Sequence, residues 1–231
     1  EGGGVMLKSI RNSFTIFSHY IENKAKVMGA AVFLDHFNNV QIYLCLFTQN
    51  LNGGIKVYNG RVFQNQNCTF RNNSGKSGAG IHAVLCQVIT TRNAVFEQNK
   101  VSRHGAAICS QFVDIIKNIN SSFIINSAKN GGSLFFKKCN YTVSILCLFQ
   151  NNLALKKGGA VSTLQVKIFV VINARFTANK AREQGGSLYL LQVNYTKMVS
   201  SNFTQNLGSD GGAFKNIKFY KINISSYHND Y

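Results

Sequence analysis

The sequence contains no proline. Proline cannot donate to a β ladder and interrupts central strands, so its absence fits a chain in which strand pairing runs without a break. The sequence also has no run of about 20 apolar residues, the length that a membrane-spanning helix needs. Glycine pairs recur too often for long helices, since each interior glycine costs about 1 kcal/mol relative to alanine. These absences favour short strands over helices.

Metal-binding motifs are missing as well. The six cysteines and five histidines include no Cys-x-x-Cys and no Cys/His spacing typical of a zinc site. Three of the cysteines, Cys45, Cys68 and Cys147, precede a phenylalanine by two residues, a position that small buried side chains also occupy elsewhere in the chain. We therefore interpret the cysteines as small buried hydrophobic residues, although Cys45 and Cys68 could also form one bridge. We predict neither a metal nor a cofactor.

The chain does contain a tetrapeptide, Phe-x-x-Asn, that recurs at steps of 23 to 27 residues. Weaker copies stand at Tyr20–Asn23 and Tyr227–Asp230. A glycine-rich segment follows each copy, for example Gly131-Gly132-Ser133-Leu134 and Gly158-Gly159-Ala160-Val161. A fixed period of this length indicates a solenoid, propeller or array. The seven full copies are Phe47–Asn50, Phe70–Asn73, Phe96–Asn99, Phe123–Asn126, Phe149–Asn152, Phe176–Asn179 and Phe203–Asn206.

The period selects the architecture. Paired-helix repeats and propeller blades need about 33 to 50 residues, and the leucine-rich repeat pattern is absent. A coil of three short strands and three turns uses about 20 to 30 residues, so we predict an all-β parallel β-helix of about eight coils over residues 1–231. In this fold the phenylalanines would stack inward, the asparagines would form a ladder at the strand ends, and glycine would supply turns with positive φ.

The pairing of Phe-x-x-Asn with Gly-Gly-Ala-(Ile/Leu/Val) resembles the repeat of the polymorphic outer-membrane proteins, large surface proteins of chlamydiae. Gly158–Val161 matches the second motif, whereas Gly53-Gly54-Ile55 lacks its small residue. The resemblance runs from about Tyr20 to Asp230. It implies a right-handed parallel β-helix at a cell surface, often adhesive, within a longer polypeptide. Neither end of the sequence looks like a solenoid cap, so we expect a segment of a longer chain or end-to-end stacking.

The charge balance is strongly basic, with 25 Lys and Arg, 8 Asp and Glu, and a formal net charge of +17. In most coils basic residues recur between the Asn and the following Gly, a turn that should lie on one edge of the rod. Such an edge attracts polyanions, such as anionic glycans or an acidic protein, or it only keeps the rod soluble. Nucleic acid is disfavoured because the aromatic residues belong to the core. The edge comprises Lys24, Lys26, Lys76, Lys100, Arg103, Lys129, Lys156, Lys157, Lys180 and Arg182.

The sequence offers few candidates for catalytic residues. Glycosidases need two carboxylates about 5–9.5 Å apart, and only Glu183 and Asp210, each just before a glycine pair, would approach one another. Acidic residues beside glycine are ordinary in turns, so we predict no catalytic residues. Long inserted loops, where a solenoid normally builds a cleft, are also absent.

Seven Asn-x-Ser/Thr sequons mark candidate N-glycosylation sites for a secreted eukaryotic protein. The sequence thus predicts an extracellular or surface structural element, either a rigid spacer or part of a matrix or filament. Adhesion to anionic glycans through the basic edge is an alternative, and a carbohydrate-processing enzyme is a less favoured one. The sequons are Asn67, Asn72, Asn120, Asn140, Asn194, Asn202 and Asn223.

Overall fold

The computed structural model describes residues 3–25, 31–217 and 221–230, with the backbone alone for 226–230. Its described residues form 26 strands and no helix. The first half of the chain contains β1 (Val5–Ile16), β2 (His19–Ile21), β3 (Val32–Tyr43), β4 (Leu46–Thr48), β5 (Ile55–Gln66), β6 (Thr69–Arg71), β7 (Ser74–Ser77), β8 (Ile81–Val84), β9 (Val88–Arg92), β10 (Val95–Glu97), β11 (Lys100–His104), β12 (Ile108–Gln111) and β13 (Ile115–Ile119). The second half contains β14 (Ser122–Ile124), β15 (Ser127–Asn130), β16 (Leu134–Lys137), β17 (Tyr141–Ile145), β18 (Leu148–Gln150), β19 (Leu153–Lys157), β20 (Val161–Ile172), β21 (Arg175–Thr177), β22 (Lys180–Gln184), β23 (Leu188–Thr204), β24 (Leu207–Asp210), β25 (Phe214–Ile217) and β26 (Lys221–Asp230).

Every strand pairs in parallel with its counterpart one coil away, which confirms the predicted solenoid of about eight turns. Twenty strands belong to one wrapped sheet, and β7, β11, β15, β19, β22 and β24 form a second sheet on one side. A middle coil therefore consists of four short strands, such as β12 to β15. We call each set of residues in register from coil to coil a column. Successive members of a column lie about 4.8 Å apart.

The phenylalanines of the repeat form one such column. Phe123 is fully buried, and its ring stacks between Phe96 and Phe149 at centroid distances of 5.2 and 4.8 Å. The stack runs without a gap from Tyr20 to Phe203. The residues two positions earlier are small and buried in every coil, which leaves space for each ring. Burial of one such ring contributes roughly 1.5–3 kcal/mol.

The asparagines of the repeat form a second column beside the rings. Asn126 Oδ1 accepts hydrogen bonds from the backbone N–H and from Nδ2 of Asn99, both at 3.1 Å. Its own Nδ2 donates to the carbonyl oxygen of Phe96 at 2.9 Å. The same pattern repeats from Asn50 to Asn206. Each asparagine thus satisfies backbone groups where its strand ends, which a buried turn requires.

Two features of the interior interrupt the repeat. Phe37 and Gly60 share a column, and the Phe37 ring fills the volume that a Cβ at Gly60 would occupy. In another inward column, Asn65, Thr91 and Asn118 are buried, and their side-chain polar atoms have no hydrogen-bond partner among the described residues. Ile42 takes this column in the coil before Asn65, and Ser144 and then Val171 continue it after Asn118. Buried polar groups without partners cost about 1–3 kcal/mol each.

Candidate functional site

The structure divides the basic edge into separate groups. Lys24, Lys100 and Lys180 are exposed and share one column, but two other residues, Ser or Leu, lie between successive lysines. Their separation of three coils, about 14 Å, exceeds the Debye length at physiological salt. These three charges therefore act separately. Lys26 lies outside the described residues.

The remaining basic residues fall on two sides of a turn. Lys129, Lys156 and Arg182 are exposed, and Lys156 Nζ pairs with Glu183 at 3.1 Å. By contrast, Lys76, Arg103 and Lys157 line a groove of about 560 Å³. An extra residue in β11, relative to β7 and β15, shifts the register before His104. Such a bulge changes the direction of the side chains around it.

The groove runs along the helix axis between the two sheets. One wall is a column at the ends of the second-sheet strands: Ser77, His104, Asn130 and Lys157. The other wall consists mainly of outward residues of β5, β8, β12, β16, β20 and β23. A glycine with positive φ joins the walls in each coil, such as Gly105 at 52° and Gly158 at 65°. A Cβ at Gly158 would overlap the backbone of Val161, so the concave corner requires glycine.

The charge in the groove has one sign. Lys56 and Lys137 join the three cations of the basic edge, and no Asp or Glu is among the described residues that line it. Sequence reasoning missed these two lysines because they follow the glycine pair rather than precede it. The signal that could have found them is their register, which places them on the outward face of the next strand, across the corner. Clefts lined by one sign of charge concentrate counter-ions.

Two pairs of side chains cross the groove. Lys157 Nζ lies 3.2 Å from the hydroxyl of Tyr189 and 4.8 Å from the centre of its ring. His104 stacks on Phe135 with ring centroids 4.3 Å apart. His104 and Lys157 are two coils apart in one column, and Phe135 and Tyr189 are two coils apart in the facing column. The pairs thus repeat at about 9.6 Å.

Burial, and to a smaller extent the positive charge around the groove, lower the pKa of its two histidines. Burial lowers the pKa of His104, and Arg103, Lys129 and Lys137 lower it further. Burial also lowers the pKa of Lys56. Burial, together with the charge of Lys56, lowers the pKa of His82 to about 4. Both imidazoles are therefore neutral at pH 7.

His82 predicts a pH-dependent stability. Its pKa is about 4 in the folded protein and about 6.5 when unfolded, so the unfolded chain binds more protons between these values. Stability from neutral His82 is present above pH 6.5 and is lost as the pH falls towards 4. The free energy of folding lost in this way is at most about 3 kcal/mol. Urea denaturation across this pH range measures the free energy of unfolding of the wild type and of His82→Gln. This free energy should change less with pH in the variant, and an equal pH dependence in both proteins would contradict the low pKa of His82.

The carboxylates considered for catalysis are both engaged with basic groups. Glu183 pairs with Lys156, and Asp210 accepts hydrogen bonds from Lys215 Nζ at 2.8 Å and from Gln184 Nε2 at 3.0 Å.

In the described part of the chain, no group of three His, Cys, Asp or Glu side chains is placed to hold a metal ion, and no helix is long and apolar enough to cross a membrane.

The six cysteines are buried and unbridged. Burial raises the pKa of Cys109 and Cys147 to about 12, so these thiols stay protonated. The backbone N–H of Cys45 contacts the sulfur of Cys68 at 3.3 Å.

The sequons differ in exposure. Asn67 and Asn202 are half-buried, and the amide of exposed Asn120 donates to Asn93 at 2.9 Å. The Asn140 amide donates to Asp114 at 2.7 Å. The exposed sequons are Asn72, Asn120, Asn140, Asn194 and Asn223.

Comparison with known families matches part of one coil of this solenoid. The matched segment, 146–164, contains Phe149–Asn152, Gly158–Val161 and groove residues such as Lys157. Residues 146–164 match the Chlamydia polymorphic membrane protein repeat. The match and the parallel solenoid confirm the resemblance read from the two motifs. The repeat family suggests a surface-exposed protein of the outer-membrane type. No curated protein and no solved structure matches the chain.

Proposed function

We propose that the chain is a non-enzymatic structural rod of a surface-exposed protein, which holds its faces at fixed spacing. The observation that carries this proposal is the unbroken pair of Phe and Asn columns, in register from Phe47 to Phe203. Each coil is bound to the next by stacked rings and buried amides, so bending the rod would separate many contacts at once. The ion pairs of Glu183 and Asp210, the two carboxylates considered for catalysis, support a non-enzymatic role.

Coil insertion tests the rod. Ser127 and Leu153 occupy the same register, so extra copies of residues 127–152 placed after Asn152 preserve the phase of the repeat. Two copies should lengthen the particle by about 10 Å in X-ray scattering while it stays folded. Insertion of residues 127–139 alone breaks the phase and should destabilise the protein. If both insertions were equally destabilising, the coils would not be modular, and the rod model would fail.

The proposed surface location and the proposed lack of enzymatic activity are tested by separate measurements. Antibody against the folded chain should label intact cells that produce the protein as strongly as permeabilised cells. Incubation with acidic polysaccharides should release no reducing ends or unsaturated sugars. Labelling only after permeabilisation would contradict the surface location, and sugar release abolished by Glu183→Gln or Asp210→Asn would establish an enzyme. Adhesion to anionic glycans, the second candidate function, is favoured by the groove.

A further inference from the structure

We propose that the groove binds a linear acidic glycan laid along the helix axis, with about one sugar ring per coil and an acidic group at every second ring. Lys56, Lys76, Arg103, Lys137 and Lys157 line the groove without an opposing carboxylate among the described residues there. The proposal rests on the second candidate function, adhesion to anionic glycans, and not on the rod's mechanical role.

The two side-chain pairs supply donors at matching intervals. Lys157 donates to the Tyr189 oxygen, which leaves the Tyr189 hydroxyl proton and the other ammonium protons available for one acidic group. Asn130 Nδ2 lies 3.4 Å from His104 Nδ1. If the amide donates there, a neutral His104 carries its proton on Nε2 and donates with that atom. The pairs are two coils apart, about 9.6 Å, which is about the length of one disaccharide.

Uncharged polar groups lie between the charged ones. Asn130 and Ser162 occupy the coil between the two pairs, and Gln111 also lines the groove. Amide and hydroxyl side chains suit the hydroxyl groups of a sugar.

The aromatic rings argue against single-stranded nucleic acid. Base stacking needs exposed aromatic faces, but Phe135 and Tyr189 are only 6% and 4% exposed. His104 and Lys157 cover these rings. The groove therefore offers hydrogen-bond donors rather than stacking platforms, which favours a glycan.

Binding of hyaluronan oligosaccharides, which carry one carboxylate per disaccharide, tests the proposal by calorimetry at 150 mM salt. Affinity should rise with each added disaccharide and level off at about four to six sugars, the length of the groove at one ring per coil. Neutral dextran fragments of equal length should not bind. An affinity that does not change with oligosaccharide length would overturn the proposal. Tighter binding of an oligothymidylate of equal charge than of hyaluronan would also overturn it.

Matched variants separate a built site from general attraction. Arg103→Gln with Lys157→Gln removes two groove charges and should weaken binding more than tenfold. Lys100→Gln with Lys180→Gln removes the same charge outside the groove and should weaken it less than twofold. Tyr189→Phe keeps every charge and should cost about three- to fivefold if its hydroxyl donates to the ligand. Equal effects of the two double variants, with no effect of Tyr189→Phe, would show non-specific attraction only.

Discussion

Replacing Asn126 with alanine is expected to destabilise the protein by about 3–6 kcal/mol. The side chain is fully buried, and its removal takes an acceptor from the N–H and the amide of Asn99. It also takes a donor from the carbonyl of Phe96, from Asn152 Oδ1 and from Ser133 Oγ. A buried group left without its partner costs about 1–3 kcal/mol, and five groups are affected, of which the Asn99 amide and Asn152 Oδ1 keep a second partner. Urea denaturation measures the loss.

Asn206→Ala is the matched control. Asn206 accepts the same two bonds, from the N–H and Nδ2 of Asn179, but it is only half-buried near the last described coils. Water can reach the exposed groups there, so the expected loss is below about 2 kcal/mol. A similar loss at both positions would show that burial does not set the energy of the asparagine column.

The sequence predicted the fold class because the repeat itself is the structural unit. Residues one period apart occupy the same register, so a pattern such as Phe-x-x-Asn followed by glycine specifies both the coil and its stacking on the next. The period of 23 to 27 residues was sufficient to identify a parallel solenoid. The match of residues 146–164 to a known repeat supports the same conclusion.

The groove could not be predicted in this way. We expected a cleft only where a loop is inserted, whereas the structure forms one from a concave corner at glycines such as Gly105 and Gly158. The angle of that corner decides which outward residues face one another. Pairs such as Lys157 and Tyr189 are 32 residues apart, further than one period, so neither the repeat nor local spacing identifies them.

The directions of the side chains in the basic edge could not be predicted from the repeat either. Counting residues from each asparagine placed all ten cations on one turn, but alternate side chains of a strand point to opposite faces. The extra residue in β11 and β19 changes that alternation again. As a result Lys156 points to solvent and Lys157 into the groove, although they are neighbours in sequence. A shift of the strand by one residue would exchange the directions of these two side chains.

Phe123→Ala should destabilise the protein by about 3–5 kcal/mol, the usual range for truncating a buried phenylalanine. Phe123 is fully buried, and alanine would leave a cavity between the rings of Phe96 and Phe149. These rings are held in register by their own strands, so the coils cannot close the gap without breaking the ladder at Asn126. The loss is therefore expected at the upper end of the range. It is measured by urea denaturation.

Phe112→Ala supplies the comparison in the same region of the rod. Phe112 is 45% exposed at a corner, and its main partner is Lys138, whose Nζ lies 5.3 Å from the ring centre. An exposed cation–π contact contributes about 0.5–1 kcal/mol, so the expected loss is below about 1 kcal/mol. If Phe123→Ala were no more destabilising than Phe112→Ala, the phenylalanine column would not be the core that holds the coils together. The rigidity proposed for the rod would then need another source.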